Sequence, residues 1–234
     1  MNKALKRIAV ISAILILIGI LMAFVEIFSF SMDFYAGEFE KLGTAEDIGI
    51  SDDDAVRAMQ VLLDYLKGKR DDIDLTIRRY GMEISFYNEK EYLHMIDVRA
   101  LYRTARLVGF IGAGAGLLFM ILSLLFAKDA RKDILDGYIL GNFIFFGILL
   151  ALGLFAAIDF DTFWVSFHRV FFSNDLWLMD PYKDNMILLC EEEMFFDLVI
   201  RIAACSLIVI GAMLVTAVIW RKKESDRQRE QTEG

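Results

Sequence analysis

Histidine is the side chain best suited to moving protons near neutral pH, and this chain carries only two, His94 and His168. The first stands in Glu91-Tyr92-Leu93-His94-Met95-Ile96-Asp97-Val98-Arg99. On a helix His94 and Asp97 share a face, three residues apart. The carboxylate would orient the imidazole and raise its basicity, as the acidic member of a catalytic triad does. A surface histidine with an incidental acidic neighbour is the competing reading. The second stands in Phe167-His168-Arg169-Val170-Phe171-Phe172, followed by Asn174, Asp175, Trp177, Asp180 and Asp184. An apolar setting disfavours the charged ring and leaves a neutral imidazole able to take a proton. The alternative is an anchor at a membrane interface, but burying a polar ring costs energy.

Apolar stretches must position both histidines. Hydrophobic residues make up 57% of the chain and charged ones 25%, with a mean hydropathy of +0.48. Apolar and polar blocks are therefore segregated. Four blocks are long enough, at about 20 residues, to cross a bilayer as helices. They lie near Ile8–Phe30, Leu107–Ala127, Tyr138–Ile158 and Phe195–Trp220. The expected fold is an all-α integral membrane protein, one domain over residues 1–234 with four transmembrane helices. Its two outer helical segments, residues 31–106 and 159–194, would fold onto the outer membrane interface.

Lys3, Lys6 and Arg7, then Lys128, Arg131 and Lys132, then Arg221, Lys222 and Lys223 flank the ends that would face inward. The positive-inside rule puts both termini in the cytoplasm and both histidines outside. Arg99, Arg103 and Arg106 crowd the outer end of the second span and run against that bias. The start of the chain resembles a signal peptide, but its apolar run is too long and no Ala-x-Ala-like site follows, so it reads as a retained span. The net charge of −8 argues against nucleic acid, which needs a clustered basic surface.

Within the first outer segment, Asp52–Asp54 opens a helical pattern carrying Val56, Met59, Leu62, Leu63 and Leu66 and ended by Gly68. Ser85–Arg106 is a second helical candidate. The second outer segment concentrates Phe160, Phe163, Trp164, Phe167, Phe171, Phe172 and Trp177. Such aromatic density belongs to a re-entrant or surface-lying helix at headgroup depth.

Other features carry less. Glu26 and Arg201 fall within spans and are candidates for an intramembrane pair, structural or catalytic. Gly109, Gly112, Gly114 and Gly116 lie inside a span, where small residues allow close helix packing instead of cradling a nucleotide. Cys190 and Cys205 are not expected to form a disulfide, and Pro181 kinks no span. Asp97, Asp175 or Asp180 could join the histidines around a metal, but no spacing favours it.

The blocks Tyr92-Leu93-His94-Met95-Ile96-Asp97-Val98 and Phe167-His168-Arg169-Val170-Phe171-Phe172, then Asn174, Trp177, Asp180-Pro181 and Asp184, resemble the lipoprotein intramolecular transacylases of Gram-positive bacteria. The four-span layout matches too, so the resemblance covers nearly the whole chain. One departure is that Cys190-Glu191 stands where a proline is expected. The resemblance implies a diacylglyceryl-modified lipoprotein substrate, a membrane-lipid setting, and no cofactor, acyl carrier or nucleotide. It implies transfer of the sn-2 acyl chain to the α-amino group of the lipoprotein's N-terminal cysteine, giving an N-acyl, S-monoacylglyceryl (lyso-form) product. The family's two essential histidines map onto His94 and His168.

Ester-to-amide transfer needs a base for the incoming nitrogen, stabilisation of a tetrahedral oxyanion and a proton for the departing glycerol oxygen. His168 is the expected base and His94, with Asp97, its partner. Arg99, Arg103 and Asn174 are candidates for holding the oxygens, with Asp180 in support. The alternatives are a membrane phospholipid acyltransferase or lipase using the same histidines, and a non-catalytic accessory or sensor protein. A straight helix from Ser85 into the second span would hold His94 about 20 Å from Leu107, so a bend, a surface-lying segment or a deeper span start is expected.

Overall fold

The computed structural model describes residues 2–127 and 130–233; Lys128, one of the flanking cations, lies outside the described residues. Among the described residues, the regular structure is helical apart from one hairpin. Its elements are α1 (Lys3–Phe28), α2 (Met32–Leu42), α3 (Thr44–Ile48), α4 (Asp52–Lys67), β1 (Thr76–Arg79), β2 (Met82–Ser85), α5 (Glu89–Phe126), α6 (Arg131–Ile158), α7 (Phe160–Phe171), α8 (Asn185–Leu189) and α9 (Glu192–Glu233). Among the described residues four helices, α1, α5, α6 and α9, are long and apolar enough to cross a membrane. At 38 residues α5 is about 57 Å long, nearly twice the hydrocarbon thickness of about 30 Å. Its N-terminal part, which carries His94, therefore stands outside the apolar run that starts at Leu107. The helix is continuous between His94 and that run.

Contacts divide the chain into two compact units. One comprises Met1–Val25, Arg106–Leu154 and Arg201–Gly234. Leu17, Phe145, Leu149 and Ile210 form one core cluster in it, and Ala9, Met120 and Ile134 another. Small residues let the backbones close together. A Cβ at Gly137 would stand 2.3 Å from the Lys6 carbonyl oxygen, and one at Gly141 2.7 Å from the Ala13 Cβ. Gly109, Gly112 and Gly116 face Met22, Leu15 and Ser12 in the same way, whereas Gly114 faces open space. Interfaces built on small side chains are how helices associate where lipid competes for every apolar contact. The outer faces keep Leu107, Ile111, Phe126 and Ile208 more than half exposed, the surface a hydrocarbon solvent requires.

The other unit comprises Glu26–Ala105 and Phe155–Ile200. Ser31 and Ser51 cap α2 and α4 with their side chains, and Gly43, Gly49 and Gly68 end α2, α3 and α4 in the left-handed conformation. The α4 boundaries follow the Asp52-to-Gly68 pattern of the sequence. The hairpin was not anticipated. It pairs Thr76 with Ser85 and Arg79 with Met82, and turns at Tyr80 and Gly81 with φ of 49° and 84°. Two positive φ values make a primed hairpin turn. Tyr80 N donates to the Gly49 carbonyl at 3.2 Å. Ser85 thus closes a strand instead of opening a helix, and α5 starts at Glu89.

Candidate active site

Asn88 and Glu91 set the start of α5. The Asn88 side chain accepts from Glu91 N at 3.1 Å and Glu91 accepts from Asn88 N at 2.6 Å, a capping box that satisfies two otherwise orphaned donors. Glu91 is fully buried, and its second oxygen accepts from Met186 N. Burial raises its pKa, against the pull of those donors. Asp184 is 4% exposed and accepts from Asn88 Nδ2 at 2.8 Å, Lys90 Nζ at 3.1 Å and Asp180 N at 2.8 Å. The first turn of α5 is thereby bolted to the segment between α7 and α8.

His94 lies one turn further along α5. From the other side α7, capped by the Asp159 carboxylate, presents His168. The two rings come within 6.1 Å centre to centre, and each residue is 7% exposed. Phe172 packs against both, 5.2 Å from His94 and 5.6 Å from His168. Trp177 stacks on His168 at 4.9 Å, while Trp164 meets its edge at 4.8 Å. Two latches bracket Trp177. Asn174 donates to Asp97 at 2.8 Å, and Lys90 donates to the Leu178 carbonyl at 2.6 Å.

His168 Nδ1 lies 2.8 Å from the Trp164 carbonyl oxygen. A carbonyl only accepts, so the neutral ring carries its proton on Nδ1 and keeps the Nε2 lone pair for a substrate. His94 Nδ1 is buried with no hydrogen-bond partner among the described residues. Burial, reinforced by His168, pulls the His94 pKa down to about 4, against the opposing charge of Asp97. Burial likewise lowers that of His168, against its backbone hydrogen bond. Both rings are neutral at pH 7, and each disfavours a charge on the other.

The remaining sequence candidates sort by the same geometry. Asp97 does not hold His94: its carboxylate bonds to Asn174, so it acts on the ring through charge alone. Asn174 belongs to the site as a latch. Asp180 serves its own turn, accepting from Tyr182 N at 3.0 Å and pairing with Lys183 at 3.4 Å. Arg99 and Arg103, five and nine residues after His94, sit about 140° and 180° around α5 from it. Arg99 instead covers the Tyr65 ring at 4.5 Å, so neither guanidinium joins the histidines. Glu26 accepts from the Tyr102 hydroxyl at 2.5 Å, and Arg201 stands on α9. No group of three or more His, Cys, Asp or Glu side chains is placed to hold a metal among the described residues. Both cysteines are free, and burial pushes the Cys190 thiol up to about 12, which removes it as a nucleophile.

Glu91, Asn88 and Lys90 were missed in the sequence. The Asn-x-x-Glu spacing at the head of α5 was the available signal for the first two. Nothing local announced that Lys90 would reach the Leu178 carbonyl.

Among solved structures, the fold matches the membrane-integral lipoprotein intramolecular transacylase Lit from Bacillus cereus. The TM-score is 0.72 at 22% identity, over 98% of this chain and 100% of that one. Histidine-to-arginine and histidine-to-alanine variants of the same protein match at TM-scores of 0.68 and 0.66, with 22% and 21% identity. The first of these alignments covers 97% of this chain and 95% of that one, the second 98% and 96%. No curated protein matches the chain. A family model described as lipoprotein intramolecular transacylase Lit matches residues 10–196. The chain therefore belongs to the Lit family, the lipoprotein intramolecular transacylases, and is a multi-pass membrane acyltransferase.

Proposed function

We propose that the whole chain works as a single membrane domain that converts a diacylglyceryl lipoprotein to its lyso-form, moving the sn-2 acyl chain onto the α-amino group of the N-terminal cysteine. The observation that carries this reading is the pair of neutral, buried histidines brought to 6.1 Å from two distant segments. His168 Nε2 takes a proton from the incoming nitrogen, which then attacks the sn-2 ester carbon. The tetrahedral intermediate collapses by breaking the bond to the glycerol oxygen, and that oxygen receives a proton. An amide forms as an ester is lost, so no acyl carrier, nucleotide or metal enters the balance.

His94 serves as the proton partner. Mutual repulsion of two imidazolium ions allows the pair only one extra proton, which suits a shuttle that takes a proton at one step and returns it at the next. Donor and acceptor share one substrate molecule, so holding them aligned can supply several kcal/mol, up to about 10. Aromatic side chains give the acyl chains an apolar wall. Around the pair Leu93, Ile96, Phe171, Val170 and Leu178 remain 41–75% exposed, an oily rim through which a lipid ester can rise from the bilayer.

The cationic flanks of the spans support termini in the cytoplasm and a site open to the outer face. Mass spectrometry of a model lipoprotein N-terminus, with purified protein in vesicles, tests the assignment. His94→Ala and His168→Ala should each abolish the lyso-form; full conversion by both variants would sink it.

A further inference from the structure

Arg99 and Arg103 contribute nothing to the histidine pair and run against the charge bias expected for an outward end, so their placement needs another account. Both guanidiniums converge on the end of α4. A Cβ built on Gly68 would lie 3.1 Å from Arg99 Nη2 and 3.6 Å from Arg103 Nη2, which puts the two within about 7 Å of each other. Arg99 Nε is buried with no hydrogen-bond partner among the described residues. Lys67, adjacent in sequence to Gly68, holds its ammonium 4.1 Å above the Phe30 ring. Gly68 itself, with φ +76°, leaves the approach open where a side chain would fill it.

The neighbouring carboxylates are committed elsewhere. Asp64 pairs with Lys69 at 3.0 Å, Asp72 with Arg70 at 3.0 Å, and Glu26 accepts from Tyr102. Among the described residues no carboxylate pairs with Lys67, Arg99 or Arg103, in a chain whose net charge is −8. Two guanidiniums held together without an acid, with a third cation on the residue beside Gly68, are a cradle for an anion. Their depth selects the anion. Arg103 and Arg99 precede the apolar run at Leu107 by four and eight residues, or about 6 and 12 Å along a helix. That puts Arg103 in the headgroup layer, about 5–7 Å deep, and Arg99 just beyond it, whichever leaflet it belongs to. Guanidinium forks match phosphate oxygens.

We propose that Lys67, Arg99 and Arg103 form a binding site for the phosphate of an anionic phospholipid, separate from the acyl-transfer site. The lipoprotein's diacylglyceryl group carries no phosphate, so the ligand is a lipid of the surrounding bilayer and not the substrate. The site does not depend on the assignment of the histidines.

Native mass spectrometry of the full chain in detergent, titrated with phosphatidylglycerol, tests it. The double variant Arg99→Gln/Arg103→Gln should bind the lipid about 30-fold more weakly at low salt, from the loss of two interfacial charges. Arg99→Lys/Arg103→Lys should recover most of that loss, and diacylglycerol should not compete. Equal retention by wild type and the Gln variant, an equal loss in the Lys and Gln variants, or equal binding of diacylglycerol would overturn the proposal. Displacement of the lipid by millimolar inorganic phosphate would also overturn it, by making the ligand a free anion.

Discussion

Acid should loosen this protein through His94, and the size of the effect can be worked out. Burial and the neighbouring His168 hold the His94 pKa down at about 4, against 6.5 for a free imidazole. Between those values the unfolded chain binds a proton that the folded one refuses, so stability rises with pH through that window and is lost as pH falls. The stabilisation is fully present above pH 6.5. At pH 4.5 the linkage amounts to about 2.5 kcal/mol, since a tenfold change in proton affinity is worth about 1.4 kcal/mol. His94→Gln keeps a polar side chain of similar reach but has nothing to titrate. Denaturant unfolding of both proteins in the same detergent, at pH 7.5 and 4.5, isolates the contribution of the imidazole. Carboxylates titrate equally in each, so wild type should lose about 2.5 kcal/mol more than the variant. An identical acid loss in the two proteins would refute a buried, charge-refusing His94.

Three further outcomes follow from named contacts. Glu91→Ala removes the acceptor of the buried Met186 amide and of the exposed Asn88 cap amide; one buried unsatisfied donor and one lost cap should together cost about 2–4 kcal/mol in unfolding. Trp177→Ala opens one face of His168 to water. Its pKa should climb back toward 6.5, moving the acid limb of the kcat/KM profile upward while kcat at pH 8 falls less than tenfold. Gly137→Leu drives a side chain into the Lys6 backbone, and thermal scans should show a drop of several degrees with the histidine pair's chemistry untouched at low temperature.

How much of this was legible beforehand follows from which forces act locally. Apolar runs announce spans because hydrocarbon demands about 20 apolar residues in a row. The expected Ile8–Phe30 and the observed Lys3–Phe28 differ only at the ends: a charged first turn extends the helix beyond the lipid, and its far end stops two residues sooner. Asp52 and Gly68 bracketed α4 correctly because helix ends are set by short-range chemistry, whereas the Ser51 cap came to light only in the structure. The hairpin escaped because strands of four residues carry little periodicity. Tyr80 at φ 49° is a turn residue few sequences would offer.

Within the site, the histidines were visible as rare, proton-active side chains. Their partners were not, because partnership is decided by tertiary contact. Asp97 looked like an orienting carboxylate three residues from His94, yet the loop brought Asn174 to it instead. The i−4 carbonyl of Trp164, not a carboxylate, fixes the His168 tautomer. Arg99 and Arg103 looked like oxygen-holding groups by proximity in sequence, and the turn of α5 carries them to the opposite side.

The central claim is that the histidine pair moves one acyl chain within one substrate molecule. A lipoprotein carrying a deuterated chain only at the sn-2 position, mixed with an unlabelled and differently tagged lipoprotein, tests it directly. After single turnover, mass spectrometry should find the label on the N-terminal amide of the same molecule, with none when His168 is alanine. Label on the other lipoprotein's amine, or on free fatty acid, would contradict the account.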